Sequence, residues 1–188
     1  MNMERVEQLI AELLGELGED PTRDGLCRTP ARVAKALAFL TRGYGHTPQE
    51  VVGDAIFESL SDNMVIVRDI EVYSLCEHHM MPFFGRCHVG YISRGSVLGV
   101  SKIARIVDVF AARLQLQERL TGEIARAVKD SIDAEGVGVV MECRHLCMMM
   151  RGVEKQNSVM TTSSVLGSFH EDPPTRAEFM ALAGHGIR

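Results

Sequence analysis

Apolar residues at Val6, Leu9, Ile10, Leu13, Leu14 and Leu17 recur at the spacing of one helix face, and Gly18 and Pro21 close the stripe. A second helix is predicted from Thr29-Pro30, read as N-cap and first helical residue, to about Thr41. Val33, Ala36, Leu37 and Leu40 form its inward side, with Gly43, Gly45 and Pro48 as punctuation. From Met64 the period shortens. MVIVRDIEVYSL is rich in β-branched residues and reads as a strand; after a break at Met81-Pro82, FFGRCHVGYIS reads as another, with SVLGV as its hairpin partner or continuation.

Ser101 is the expected cap of a helix carrying Ile103, Ile106, Val107, Phe110 and Leu114. A further helix over Leu120, Ile124, Val128 and Ile132 is expected to stop at Gly136. GVGVVMECRHLCMMMRG and SVMTTSSVLG then read as two more strands. Asp172-Pro173-Pro174 opens a last short helix, and residues 184–188 are expected to fray. The order strand, strand, helix, helix, strand, strand behind two helices predicts an α+β domain whose antiparallel sheet carries its helices on one face. Four such strands leave two open edges, which favours a homo-oligomer built through the sheet.

A chain of 188 residues is one ordinary domain with a small appendage. Its formal net charge of -5 argues against non-specific nucleic-acid binding, which needs a basic surface; an anionic small molecule requires a local cluster of positive charge. No apolar run reaches the roughly 18 residues of a membrane span. The opening MNMERVEQLIAELLGEL has acids every few positions and lacks a signal peptide's apolar centre, so a cytoplasmic location is expected. Five cysteines (Cys27, Cys76, Cys87, Cys143 and Cys147) do not suggest a secreted disulfide framework.

The densest chemistry is Cys76-Glu77-His78-His79, in which a thiolate and an imidazole three residues apart suit one zinc ion. A third ligand must come from elsewhere, and Cys143 and Cys147 are both open to that role. Read as one strand face, Cys143, His145, Cys147, Met149 and Arg151 point the same way, so the metal would lie beside an ionisable imidazole. Three protein ligands and one open position make a catalytic rather than a structural zinc site. Cys27, Cys87 and Cys143 also read as small buried hydrophobes, and the methionines at 148–150 as packing.

Lys102 and Arg105 share a helix face beside Ser101, at a helix start that favours anions; Arg32 and Lys35 form a similar pair, and Arg151 lies on the late strand. Taken singly these are solvated surface charges, and a phosphate site requires them to converge. Glu118 reads alone as a surface helix residue, although its carboxylate can accept two parallel N–H bonds from a guanine edge.

With these residues in view, the sequence resembles GTP cyclohydrolase I. The resemblance rests on RTPARVAKAL, RDIEVYSLCEHHMMPFFGRCHVGYI, VLGVSKIARIVDVFAARLQLQERLT and RHLCMMMRGV with the trailing SVMTTSSVLG, in order from about Gly25 to Phe179. It implies a tunnelling fold with an N-terminal helical region over 1–60 and a catalytic domain over 61–188. It also implies conversion of GTP and water to 7,8-dihydroneopterin triphosphate and formate, the first step toward folate and other pterins. By motif, the Zn2+ ligands are Cys76, His79 and Cys147, and His78 and His145 are the acid–base pair. Glu118 anchors the guanine edge with Gln117 beside it. Lys102, Arg105, Arg151 and Lys35 hold the triphosphate, and Ser101 assists the later sugar rearrangement.

The chemistry so implied is water attack at C8 assisted by zinc, imidazole ring opening, formate release, an Amadori-type rearrangement and ring closure. No redox cofactor is needed, and neither a GxGxxG nor a P-loop signature is present. The resemblance further implies toroidal homodecamers whose active sites are shared between subunits. A zinc-stabilised binding module without turnover is the competing class. Tunnelling-fold pterin synthases and nitrile reductases fit CEHH with HLC less well, and the H-x-E with P-C-x-x-C of zinc deaminases is absent. Cys87 and Cys143 sit where family cysteines are not expected, so the choice of the distal ligand stays open.

Overall fold

The computed structural model describes residues 1–184, so most of the tail expected to fray lies outside the described residues. Contacts divide the chain into two compact units, one ending at Arg42 and the other beginning at Gly43. In the first unit, α1 (Met3–Glu16) is capped by Asn2, whose side chain accepts from the Arg5 N–H at 3.0 Å. The second helix, α2 (Thr29–Leu40), has Arg28 rather than Thr29 at the cap position, and no side-chain cap bond. The turn before it has already begun to coil: the Thr29 N–H donates to the Leu26 carbonyl at 2.8 Å, and the Arg32 N–H to the Arg28 carbonyl at 3.1 Å. A hydroxyl cap is therefore unnecessary, and Thr29 and Pro30 sit inside the first turn.

The second unit opens with α3 (Pro48–Val52), held by a capping box between Thr47 and Glu50. In chain order there follow β1 (Ile56–Glu58), β2 (Met64–Cys76), β3 (Pro82–Ile92), β4 (Ser96–Leu98), α4 (Val100–Ala111), β5 (Leu114–Gln115) and α5 (Gln117–Ile132). The chain continues through β6 (Gly136–His145), α6 (Leu146–Met149), β7 (Met160–Gly167), α7 (Ser168–Glu171) and α8 (Pro173–Gly184). The main sheet has the order β5-β2-β3-β6-β7. All its pairs are antiparallel except the short β5, which lies parallel against the end of β2. Without that two-residue strand, this is the antiparallel ββααββ sheet of the tunnelling fold expected from the sequence.

Alternation along the strands sorts the two faces. Val72, Phe83, Cys87, Val89, Val139 and Met141 point inward with Ile103, Ile106 and Val107 of α4 and Leu120, Ile124 and Val128 of α5, in one buried cluster. Part of the opposite face is also covered. Phe169 and Phe179, from α7 and α8, are fully buried beside Val140, and the partly buried Ile66 and Val165 pack against them. Gly90 and Gly138 make room for them, since a Cβ at either would lie 2.7 Å from the Phe179 ring. The rest of that face is an open cleft of about 660 Å³ lined by Tyr73, Phe84, Arg86, His88 and Arg144 among others.

Further local features differ from the expectation, among them Leu114, which lies in β5 rather than on α4, and Cys27, which is exposed. SVLGV does not pair with the preceding strand: β4 pairs with β1 in a separate two-stranded sheet. The reason is topological, because both edges of β3 are already taken by β2 and β6. Ser101 does not cap α4; Gly99 holds the cap position, and Ser101 lies exposed in the first turn. The late strand ends at His145, and its next four residues coil into α6. His145 pairs with Phe83, and the next rung would face Pro82, which has no N–H to extend the ladder. Cys147, Met149 and Arg151 therefore leave the strand face they were expected to share with Cys143.

Candidate functional site

The site forms where one end of the sheet meets the start of α5. Cys76 ends β2, and the following turn is closed by the Met80 N–H donating to the Cys76 carbonyl at 2.8 Å. The Cys76 N–H donates to the Met81 carbonyl at 2.9 Å. Met80 takes a left-handed conformation at φ 53° to complete the reversal. The Glu77 N–H donates to the Gln115 carbonyl at 3.0 Å, which ties the turn to β5. Cys147 arrives from α6, at the far end of β6.

These elements bring the thiols of Cys76 and Cys147 and an imidazole nitrogen of His79 within 4.8 Å of one another. Tetrahedral zinc, with bonds of about 2.0–2.3 Å, holds its ligand atoms about 3.4–3.8 Å apart. Small side-chain rotations close that difference. Two thiols and one imidazole are also the donor set that zinc prefers over calcium or magnesium, so the residues fit the ion. Burial raises the Cys147 thiol pKa, and the neighbouring Cys76 raises it further.

Cys143, the other candidate distal ligand, is 1% exposed in the core. Burial pushes its thiol up to about 12, with a further push from Glu142. It does not belong to the Cys–His–Cys group. Cys147 lies in α6 and not on the strand, so it does not share the face of Cys143.

His145 lies beside this group. Its ring stacks on Phe83 with centroids 4.6 Å apart and planes 8° from parallel, and its Nε2 is 2.8 Å from Oε1 of Gln117. Burial lowers its pKa, and the carboxylate of Glu118 partly offsets that shift. Gln117 and Glu118 are the first two residues of α5. Gln117 is 1% exposed, whereas Glu118 is exposed. His78 and His79 are exposed, in an edge-to-face contact with centroids 6.2 Å apart.

The expected anion-binding residues have different settings. Arg151 is exposed, and its guanidinium donates to the Cys147 carbonyl at 3.2 Å, next to the Cys–His–Cys group. Lys102 is half-buried and donates from Nζ to the Val51 carbonyl at 2.9 Å. Arg105 and Ser101 are exposed on α4, and Lys35 is exposed on α2 of the N-terminal unit.

Sequence reasoning missed Arg119, Thr121 and Thr162. Arg119 makes an ion pair with Glu77, donates from Nε to Oε1 of Gln115 at 3.1 Å, and donates to the Leu114 carbonyl. The oxygens of Thr121 and Thr162 are 2.7 Å apart, and Thr162 also contacts the Gln117 amide. Arg119 stands inside a quoted motif and was within reach. The two threonines are ordinary residues of a helix and a strand, and nothing in their spacing marks them.

Residues 6–184 match the family model described as GTP cyclohydrolase I. A GTP cyclohydrolase 1 of Methylococcus capsulatus is 58% identical over 95% of this chain and 97% of its own length. A GTP cyclohydrolase 1 of Leptospira biflexa is 59% identical over 96% of this chain and 99% of its own. A crystal structure of an apo archaeosine synthase QueF-Like protein, 20% identical, aligns with a TM-score of 0.48 over 57% of this chain and 96% of that one.

Proposed function

The chain belongs to the GTP cyclohydrolase I family of enzymes, and from that premise we propose that it converts GTP and water to 7,8-dihydroneopterin triphosphate and formate at a zinc site held by Cys76, His79 and Cys147. The observation that carries the metal assignment is the approach of those three ligand atoms to within 4.8 Å. A zinc ion held there would supply Lewis-acid activation of water near neutral pH.

The remaining work falls to the chain's own side chains. His78 and His145 are the proton carriers to and from the ring nitrogens of the opening imidazole, a task suited to a side chain whose ring nitrogens can each give or accept a proton. Glu118 accepts the guanine N1–H and exocyclic amine in parallel, which fixes the base against the metal group. Gln117, bonded to His145, supports that histidine. Arg151, Lys102, Arg105 and Lys35 hold the triphosphate, Arg151 from beside a metal ligand. For Lys102 this means exchanging its bond to the Val51 carbonyl for one to phosphate. Ser101, exposed at the start of α4, assists the rearrangement of the opened sugar.

The same proposal assigns residues 1–60 to a helical region and 61–188 to the catalytic domain. It includes a cytoplasmic homodecamer with shared active sites. Among the described residues no helix is long and apolar enough to cross a membrane.

The test is incubation of purified protein with GTP, with and without a zinc chelator. Formate is measured directly, and neopterin by fluorescence after mild oxidation. Chelator-sensitive release of both products is the expected result. Bound zinc with GTP left intact would overturn the proposal in favour of a binding module.

A further inference from the structure

Gln117 is buried with its side-chain amide held from several directions. The backbone carbonyls of Met141 and Met160 lie 3.2 and 2.9 Å from one of its terminal atoms. A carbonyl can only accept, so that atom is the –NH2 group, and the amide orientation, often ambiguous, is decided by the surrounding backbone. Oε1 is thereby turned to His145, 2.8 Å from Nε2. An amide oxygen also only accepts, so Nε2 of His145 carries a hydrogen. In the neutral ring Nδ1 is then the bare acceptor.

Two hydroxyls lock this arrangement. Oγ1 of Thr121 lies 2.7 Å from the Gln117 backbone carbonyl, which takes its single hydrogen. The contact of 2.7 Å between Thr121 and Thr162 must therefore run with Thr162 as donor. With its hydrogen so used, Thr162 turns a lone pair to the Gln117 amide, 3.1 Å away, and shares the two amide hydrogens with the Met141 and Met160 carbonyls. The bonds circulate in one sense: Gln117 amide to Thr162, Thr162 to Thr121, and Thr121 back to the Gln117 backbone. Reversing the Gln117 amide would oppose two carbonyls with its oxygen and break this ring.

We propose that Gln117, oriented by the Thr121–Thr162 pair and the Met141 and Met160 carbonyls, is a positioning residue that holds His145 as its Nε2–H tautomer, so that Nδ1 is the ring atom left to meet the nucleotide. The role at the nucleotide rests on the function proposed above; the tautomer itself does not. The Nε2–H bond to Gln117 and the stack on Phe83 together fix the plane of the ring.

The test is 15N solid-state NMR on sedimented, histidine-labelled protein at mildly alkaline pH, with His145 assigned by difference against His145→Asn. A protonated Nε2 and an unprotonated Nδ1 are expected for His145, and the opposite tautomer would overturn the proposal whether or not the protein turns over GTP. Gln117→Met is expected to mix the tautomers and lower kcat about 10²-fold, with KM for GTP changed less than about threefold. Thr162→Val is expected to lower kcat several-fold, and Thr162→Ser to restore it. Unchanged kcat in Gln117→Met would remove the positioning role. Failure of the wild-type protein to release formate, with the Nε2–H tautomer intact, would sink the function and leave the tautomer assignment standing.

Discussion

Arg119, in the first turn of α5, reaches across to the carboxylate of Glu77, the residue between Cys76 and His78. The same guanidinium donates to Gln115, whose amide in turn donates to Glu123 at 2.8 Å. One side chain thus braces the turn that carries two proposed metal ligands against the helix that presents Glu118. As a partly exposed ion pair it contributes only about 0.2–1 kcal/mol to folding, so its main effect is on the geometry of the turn.

Arg119→Ala is accordingly expected to leave the fold intact and to weaken zinc binding about tenfold, the lower end of the range for residues that support metal ligands. Competition against a chromophoric chelator measures this. Wild-type zinc affinity in the variant would show that the turn holds its shape without the brace.

The two late cysteines separate by experiment. Cys147→Ser is expected to abolish stoichiometric zinc while the protein remains folded, since Cys147 is only half-buried. Cys143→Ser is expected to keep the metal and lose about 1–3 kcal/mol of stability, because it places a hydroxyl in an apolar core. Metal analysis paired with urea unfolding distinguishes the cases, and zinc lost from Cys143→Ser alone would reverse the assignment.

His88 gives the fold a pH dependence away from the metal group. Burial lowers its pKa; the Asp69 and Glu142 carboxylates pull it back up in part, and Arg68 and Arg86 push it down. Its Nδ1 accepts the backbone N–H of Asp69 at 3.2 Å, a bond that protonation destroys. Because the folded pKa lies below the unfolded value of about 6.5, the unfolded chain binds the proton more readily as pH falls. This contribution is intact above about pH 6.5 and is lost as pH drops through the folded pKa. His88→Asn, which keeps an acceptor near Nδ1 and does not titrate, is expected to flatten the stability profile from neutral to mildly acid pH. Urea titrations across that range check it, and an equally steep profile in the variant would assign the effect to other groups.

Phe179 anchors α8 to the outer face of the sheet, over Gly90 and Gly138. Phe179→Ala leaves a cavity above two residues that have no side chains to fill it. A loss of about 3–5 kcal/mol is expected, read from chemical denaturation. A loss below about 1 kcal/mol would mean that α8 readily repacks.

The elements that local physics controls were legible along the chain. The stripe from Val6 to Leu17 became α1, and the β-branched run from Met64 became β2. Ile103, Ile106 and Val107 turned inward from α4, because side-chain period follows directly from backbone geometry. CEHH put Cys76 and His79 within reach of one ion, since a tight turn needs only local residues.

Relationships that sequence distance hides arose only on packing. β4 paired with β1 because both edges of β3 were occupied. Cys147 rather than Cys143 met Cys76 because the ladder ends opposite Pro82 and the chain coils there. The direction of the Gln117 amide was set by carbonyls 24 and 43 residues away. Periodicity records which face a residue takes; only the packed chain brings acceptors together so that a hydrogen bond can run in one direction.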